Sequence, residues 1–459
     1  MSRGGCLGGA GPLIAALAAS LALGVWTTAA EAHAVLLRVI PSTNQQLQSA
    51  PAEVRLLFSE PVDPRFSSVT VVDANGAGVD NRDSHVDADD DRQVVASLKP
   101  GLGNGVYTVR WRSLSVIDIH PDSGEYRLFV GVAPSQTTQQ LAGTQGVSTP
   151  ALSIARWLLY LSASVFAGAI ATWKLVLGPV LRHSPARANV YRRVVLFGLA
   201  GGVLLIVSTL LTALAQAAAA GSAGDGSDAG RALVDLLTRG RFASIWWPRL
   251  ALSATCVMLV ALNGLDSVGG DCALAMQPAV LLTSSLTSHG AALPALTLVG
   301  IVVDWLHVTG AVAWVGGLAT LGVALTGPLQ RATSADPGLP GHLVHRFTRM
   351  ALVAAMLVAA SGVAQAALEV GSLGLLLTTG YGHGVLAKAI LLLAMLGLAS
   401  RNQRAVGTRL VRGVRAELLL GAATLAVAAV LVGIPPAREL AGPSPGVASG
   451  VVATADRAP

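Results

Sequence analysis

Apolar runs of about twenty residues recur between residues 151 and 435, and nothing else in the chain limits its fold so strongly. A helix needs about 20 apolar residues to cross the ~30 Å hydrocarbon core of a bilayer. Eight segments fit, near 152–177, 191–218, 246–264, 273–290, 297–325, 347–369, 383–400 and 414–434. They predict an all-α multi-pass membrane bundle of about eight helices. Only 12% of the 459 residues are charged, against about 25% in soluble domains. That balance excludes a disordered chain, a collagen and an ordinary nucleic-acid-binding module, so no nucleic-acid partner is expected. The net charge of +6 is also unevenly placed: residues 33–130 carry nine Lys or Arg against thirteen Asp or Glu. The basic excess therefore belongs to the membrane part, where it marks cytoplasmic loops.

Residues 1–32 read as a secretory signal peptide. Arg3 is its basic end, Leu13 to Val25 its apolar stretch, and Ala30-Glu31-Ala32 a small-x-small cleavage site. Cleavage after Ala32 makes His33 the first residue of the mature chain. Such a residue offers its α-amine and its ring Nδ1 to one ion. Two nitrogens from one residue suit Cu(II), which favours tetragonal N,O sites. The other reading is that His33 is only where the cut falls.

Residues 33–130 predict an all-β sandwich. Short β-branched or alternating runs (53–58, 68–72, 93–96, 106–112 and 125–130) are separated by turn signals such as Asn75-Gly76, Pro100-Gly101 and Asn104-Gly105. Between the last two runs lie Asp118 and His120. On an extended segment, residues two apart face one side, so a carboxylate and an imidazole would share a target with His33. His85 sits in an acidic stretch (80–91) that reads as a solvated loop rather than a cation site. Cys6, Cys256 and Cys272 form no CxxC pair, so neither a disulfide framework nor a thiolate metal site is expected.

His33-Ala34-Val35-Leu36, Ser49-Ala50-Pro51, Leu56-Leu57-Phe58-Ser59-Glu60-Pro61-Val62 and Tyr107-Thr108-Val109-Arg110-Trp111-Arg112, followed by Asp118, His120 and Gly124, resemble the CopC family of periplasmic copper-binding proteins. The resemblance implies an Ig-like sandwich and a Cu(II) site made by His33, Asp118 and His120. That family usually has Gly between the Asp and the His, where this chain has Ile119. Residues 33–130 contain no Met, so no methionine-rich Cu(I) site is expected.

Residues 131–150 read as a flexible linker, residues 151–435 as the membrane domain, and residues 436–459 as a disordered tail. Loop arginines (Arg182, Arg187, Arg346, Arg349, Arg401 and Arg412 among them) place the sandwich on the extracytoplasmic side of the inner, cytoplasmic membrane. Ionisable residues within lipid are functional suspects. His289, Asp304, His307 and His383 fall in the outer half and form a candidate membrane path. Asp304 and His307, three apart, share a helix face; a structural hydrogen-bonded pair is the other reading. Lys388 and Glu417 read as a structural ion pair. His183, His342 and His345 read as solvated loop residues, and Trp246, Trp247 and Trp314 as interface anchors or packing.

Thr287-Ser288-His289-Gly290-Ala291, Asp304-Trp305-Leu306-His307, Trp314-Val315-Gly316-Gly317-Leu318 and Thr379-Gly380-Tyr381-Gly382-His383 resemble the CopD family of inner-membrane copper-resistance proteins. The order matches CopC–CopD fusion proteins. The implied function is capture of Cu(II) outside the membrane and its passage inward, with a periplasmic copper donor, a cytoplasmic copper acceptor and the lipid bilayer as partners. The other readings are copper resistance or sequestration without net import, and a haem-binding electron-transfer protein using His289, His307 or His383. No GxxxxGK[ST] occurs, so ATP-driven pumping by this chain is not expected, and neither is an enzyme.

Overall fold

The computed structural model describes residues 34–42, 45–133, 149–221, 229–293, 295–325, 329, 338–403 and 407–438. The expected signal peptide with His33, most of the linker and most of the tail lie outside the described residues.

Among the described residues, eight strands build two four-stranded sheets. The first has the order β1 (Leu36–Ile40), β3 (Glu53–Phe58), β6 (Gln93–Ser97), β5 (His85–Val86); the second β2 (Gln46–Leu47), β8 (Pro121–Val130), β7 (Gly105–Leu114), β4 (Ser68–Val72). The alternation in β3 sends Val54, Leu56 and Phe58 inward, all without exposure. They meet Val109 and Trp111 of β7 and Tyr126 and Leu128 of β8, so the period-2 pattern becomes the core between the sheets. β7 and β8 pair antiparallel along their whole length, from Gly105↔Val130 to Leu114↔Pro121. The loop joining these two longest strands leaves the end of the sandwich that meets the helices.

Among the described residues, ten α-helices of six residues or more follow: α1 (Pro150–Thr172), α2 (Arg187–Gly221), α3 (Ala229–Thr238), α4 (Gly240–Asn263), α5 (Val268–Ser285), α6 (Thr297–Ala324), α7 (Leu339–Glu369), α8 (Leu373–Thr378), α9 (Gly380–Asn402) and α10 (Gly407–Leu431). The Thr149 hydroxyl accepts from the Leu152 amide and Pro150 stands in the first turn, which fixes where α1 begins. A π-helical turn, Trp173–Leu177, prolongs it.

Among the described residues, seven helices are long and apolar enough to cross a membrane. The eighth expected span is α5, which ends at Ser285 rather than 290 and contains Asp271, Gln277 and Pro278. Its 18 residues still reach about 27 Å at 1.5 Å each, and it packs back along α4. The short turn between them is held from below: Asp266 takes Arg187 at 2.6 Å and Asp271 takes Lys174 at 2.6 Å. α7 begins eight residues earlier than the apolar run, so His342 and His345 stand exposed on a helix rather than in a loop.

Two backbone crossings need glycine. A Cβ on Gly316 of α6 would lie 1.8 Å from the Ser164 carbonyl oxygen of α1. A Cβ on Gly300 would lie 2.2 Å from the Gly290 oxygen. Small residues let membrane helices approach this closely, and the second crossing seats the turn that carries His289 against the start of α6.

The sandwich docks on the bundle through Phe66, Leu114 and Ile119, which form one apolar cluster with Ala217 and Ala220 of α2 and Ala232 and Leu236 of α3. Arg65 donates to the Asp235 carbonyl at 2.9 Å and Gln216 to the Ile119 carbonyl at 2.6 Å. Both bonds tie the two domains at the same face.

Candidate metal centre

The centre starts with Ser115, just past β7. Its hydroxyl donates to Glu60 at 2.6 Å and accepts the amides of Ile117 at 3.0 Å and Asp118 at 3.3 Å. The Asp118 carboxylate in turn accepts the His120 amide at 3.1 Å, and the Ser115 amide reaches the His120 carbonyl at 3.1 Å. These bonds close a tight loop, not the extended segment expected. Residue 119 sits at φ 62°, the left-handed region that costs an L-residue about 1–2 kcal/mol. This is why glycine suits the position between the Asp and the His. Ile119 occupies it here because its side chain is buried in the docking cluster.

The loop turns both ligand candidates to one point. His120 Nδ1 lies 3.2 Å from Asp118 Oδ2. A third group arrives from the membrane domain: His289 Nδ1 lies 4.0 Å from the same oxygen, and the two imidazoles are 5.4 Å apart, tilted by 34°. Asp118, His120 and His289 are 2%, 6% and 5% exposed, so any ion held there is largely stripped of water. His289 belongs to a 3₁₀ turn, His289–Ala292, after α5. Its Nε2 faces the Leu431 carbonyl at 3.5 Å, which leaves Nδ1 as the ring nitrogen turned toward Asp118. Among the described residues, these three are the one group of His, Cys, Asp and Glu side chains that could hold a metal ion together.

His33 lies outside the described residues, but the chain next to it is placed. The Val35 amide donates to the Ser59 hydroxyl and its carbonyl accepts the Ser59 amide, both at 2.9 Å. Ser59 precedes Glu60, which holds Ser115. Val35 is thus bonded to the residue next to the loop's own anchor.

The rest of the expected path is not gathered into this group. Asp304 accepts from Gln365 at 2.9 Å, and His307 Nδ1 meets Ser361 at 3.1 Å. Gln365 and Ser361 are one turn apart on α7, so Asp304 and His307 do share a helix face. His383 is exposed and bonds the Leu377 carbonyl at 2.8 Å. His289, His307 and His383 therefore face different partners, with no facing pair among them. The Lys388–Glu417 ion pair is corrected. Lys388 interacts with Glu369 and Asp304, whereas Glu417 accepts from Asn402. Fourteen residues of α9, about 21 Å, separate Lys388 from Asn402. His85 is exposed on β5, and its acidic neighbours are engaged locally. Asp90 is held down at about 2, chiefly by its hydrogen bond from Arg92; Asp87 takes Arg55 at 3.0 Å.

Beneath the centre is a cavity of about 110 Å³ running from Asp118 to Asp304 and lined between them by Arg156, Tyr160, Gln216, Trp246 and Arg249. Its wall is mixed, with these charged and polar groups set among apolar side chains, and it is roomy enough for several waters. Trp246 therefore borders the cavity as well as packing. Arg156, Arg249 and Glu369 were not singled out in the sequence. Their signal was present, since each is a charge inside an apolar run.

Two family models match the chain: the CopC domain over residues 36–131 and copper resistance protein D over residues 341–431. The copper transport protein CutJ of Bacillus subtilis (strain 168) is 30% identical over 421 residues, covering 89% of this chain and 75% of CutJ. Protein YobA of Escherichia coli (strain K12) is 32% identical over 99 residues, which are 22% of this chain and 79% of YobA. The crystal structure of CopC from Methylosinus trichosporium OB3b matches at 31% identity and a TM-score of 0.19, over 21% of this chain and 93% of that one.

Proposed function

The chain belongs to the family of CopC–CopD fusion proteins, multi-pass membrane proteins of copper transport or resistance, and from that premise we propose that it captures Cu(II) outside the membrane and passes it inward. His33, Asp118 and His120 take the ion, with His33 supplying two nitrogens once the signal peptide is removed. His289 joins as the membrane domain's ligand. The cavity below leads toward Asp304. The division into signal peptide (1–32), sandwich (33–130), linker (131–150), membrane domain (151–435) and tail (436–459) is part of this reading, as is the extracytoplasmic sandwich.

One observation carries it: Asp118 and His120 of the sandwich and His289 of the bundle converge on a single buried point. Nitrogen and carboxylate donors suit Cu(II). A site closed by both domains favours handing an ion over. A store would need only the sandwich. On this reading the chain is a carrier of copper rather than an enzyme.

Two measurements test it. Electron paramagnetic resonance of the copper-loaded full chain should show nitrogen coupling that diminishes in His289→Ala and disappears with tight binding in Asp118→Ala. Cells expressing the protein should accumulate copper. Unchanged or lowered cellular copper would replace import by resistance or sequestration.

A further inference from the structure

His120 has a second partner that none of the copper chemistry above uses. The Arg156 guanidinium, from the second turn of α1, lies 3.4 Å from His120 Nε2. A guanidinium only donates, so the ring nitrogen accepts. The ring's hydrogen is then on Nδ1, facing Asp118 Oδ2 at 3.2 Å. Copper needs a ring lone pair. Binding through Nδ1 puts the hydrogen on Nε2, where it would face another donor. Binding through Nε2 puts the ion where the guanidinium stands. In both cases the contact with Arg156 ends, and two cations are left close together in a site with little water.

The same guanidinium also lines the cavity that runs from Asp118 down to Asp304. We propose that Arg156 is a latch between the metal centre and the cavity: it holds His120 while the centre is empty, and copper expels it. The side chain acts as a tethered cation, so occupancy of the centre and the latched position exclude each other. Loading the centre thereby unlatches the head of the cavity, and an empty centre keeps it latched. This rests on the copper site proposed above.

Mutual exclusion is a coupling between two sites and acts in both directions. Removing the latch must strengthen copper binding. A residue that merely supported the fold would weaken binding when lost, so the sign of the change separates the two roles.

The test is a Cu(II) titration of the full-length protein in detergent against a competing chelator. Arg156→Gln should bind Cu(II) about tenfold more tightly than wild type, within the usual range of such couplings. Arg156→Lys keeps the charge and should stay near wild type. Equal or weaker binding by Arg156→Gln overturns the latch. Should that variant not fold, the wild-type protein answers by phenylglyoxal labelling read at Arg156. Labelling should rise on addition of Cu(II), and labelling that copper leaves unchanged overturns the latch. A wild-type chain that fails to bind Cu(II) at all removes the copper site itself, whereas tight wild-type binding with no effect at Arg156 removes only the latch.

Discussion

His289 and His383 sit at the same end of the bundle and carry the same chemistry, yet their environments differ. His289 is buried with its Nδ1 toward Asp118, while His383 is exposed and bonded to a backbone carbonyl. His289→Ala should weaken Cu(II) binding by the full chain about tenfold or more, each tenfold being about 1.4 kcal/mol. His383→Ala should leave it unchanged. Chelator competition measures both. Ile119 offers a second test, because two effects oppose there. Ile119→Gly relieves about 1–2 kcal/mol of left-handed strain but gives up about 2–3 kcal/mol of buried side chain. Packing wins by a small margin. The variant should keep the sandwich's melting temperature and dock less firmly, seen as faster proteolysis between the domains. At this scale part of the candidate centre was legible: Asp118 and His120, which stand out in the sequence by their spacing, are brought to one point. What the sequence hid was the turn at Ile119, since an isoleucine at positive φ has no local signature. His289 was visible as an intramembrane histidine. Its partnership with Asp118, 171 positions away, depends on how two domains dock and has no local pattern at all.

The elements that aim these side chains were legible in proportion to their regularity. Alternation or β-branching marked five of the strands but not β1, which is as long as β4 and β6, and apolar length marked the spans. Helix ends were read less well, because α7 begins in a polar stretch and α5 gives way to a 3₁₀ turn at His289. That turn is the element on which the centre depends. Gly290 and Gly300 put the two backbones in contact, and a Cβ on Gly290 would lie 2.7 Å from the Gly300 carbonyl carbon. A backbone atom cannot step aside as a flexible side chain can. Gly290→Val should therefore push the turn away from α6 and carry His289 with it. The expected outcome is a Cu(II) affinity lowered to that of His289→Ala, with the helical circular dichroism signal kept. Retained wild-type affinity would show that the turn has slack and that the crossing does not set the ligand's position.

At the scale of the whole molecule, the group of Asp118, His120 and His289 is complete only while the sandwich rests on the bundle. The docking cluster was invisible in the sequence because its bundle side is Ala217, Ala220 and Ala232 with Leu236, residues that read as ordinary apolar filling. Leu236 lies on α3 and is 1% exposed, packed with Phe66, Leu114 and Ile119. A carboxylate there is buried among apolar side chains, which is costly, so Leu236→Asp should lift the sandwich off. The sandwich itself stays folded, since its core between the sheets contains no residue of α3. Its ligands then act without His289. Leu236→Asp, His289→Ala and the double variant should bind Cu(II) with the same reduced affinity, because once the domains part there is no His289 contribution left to remove. Contacts that act as one unit fail to add in this way. If the two losses instead add in the double variant, His289 still contributes when Leu236 is replaced, and this docking contact does not control the ligand.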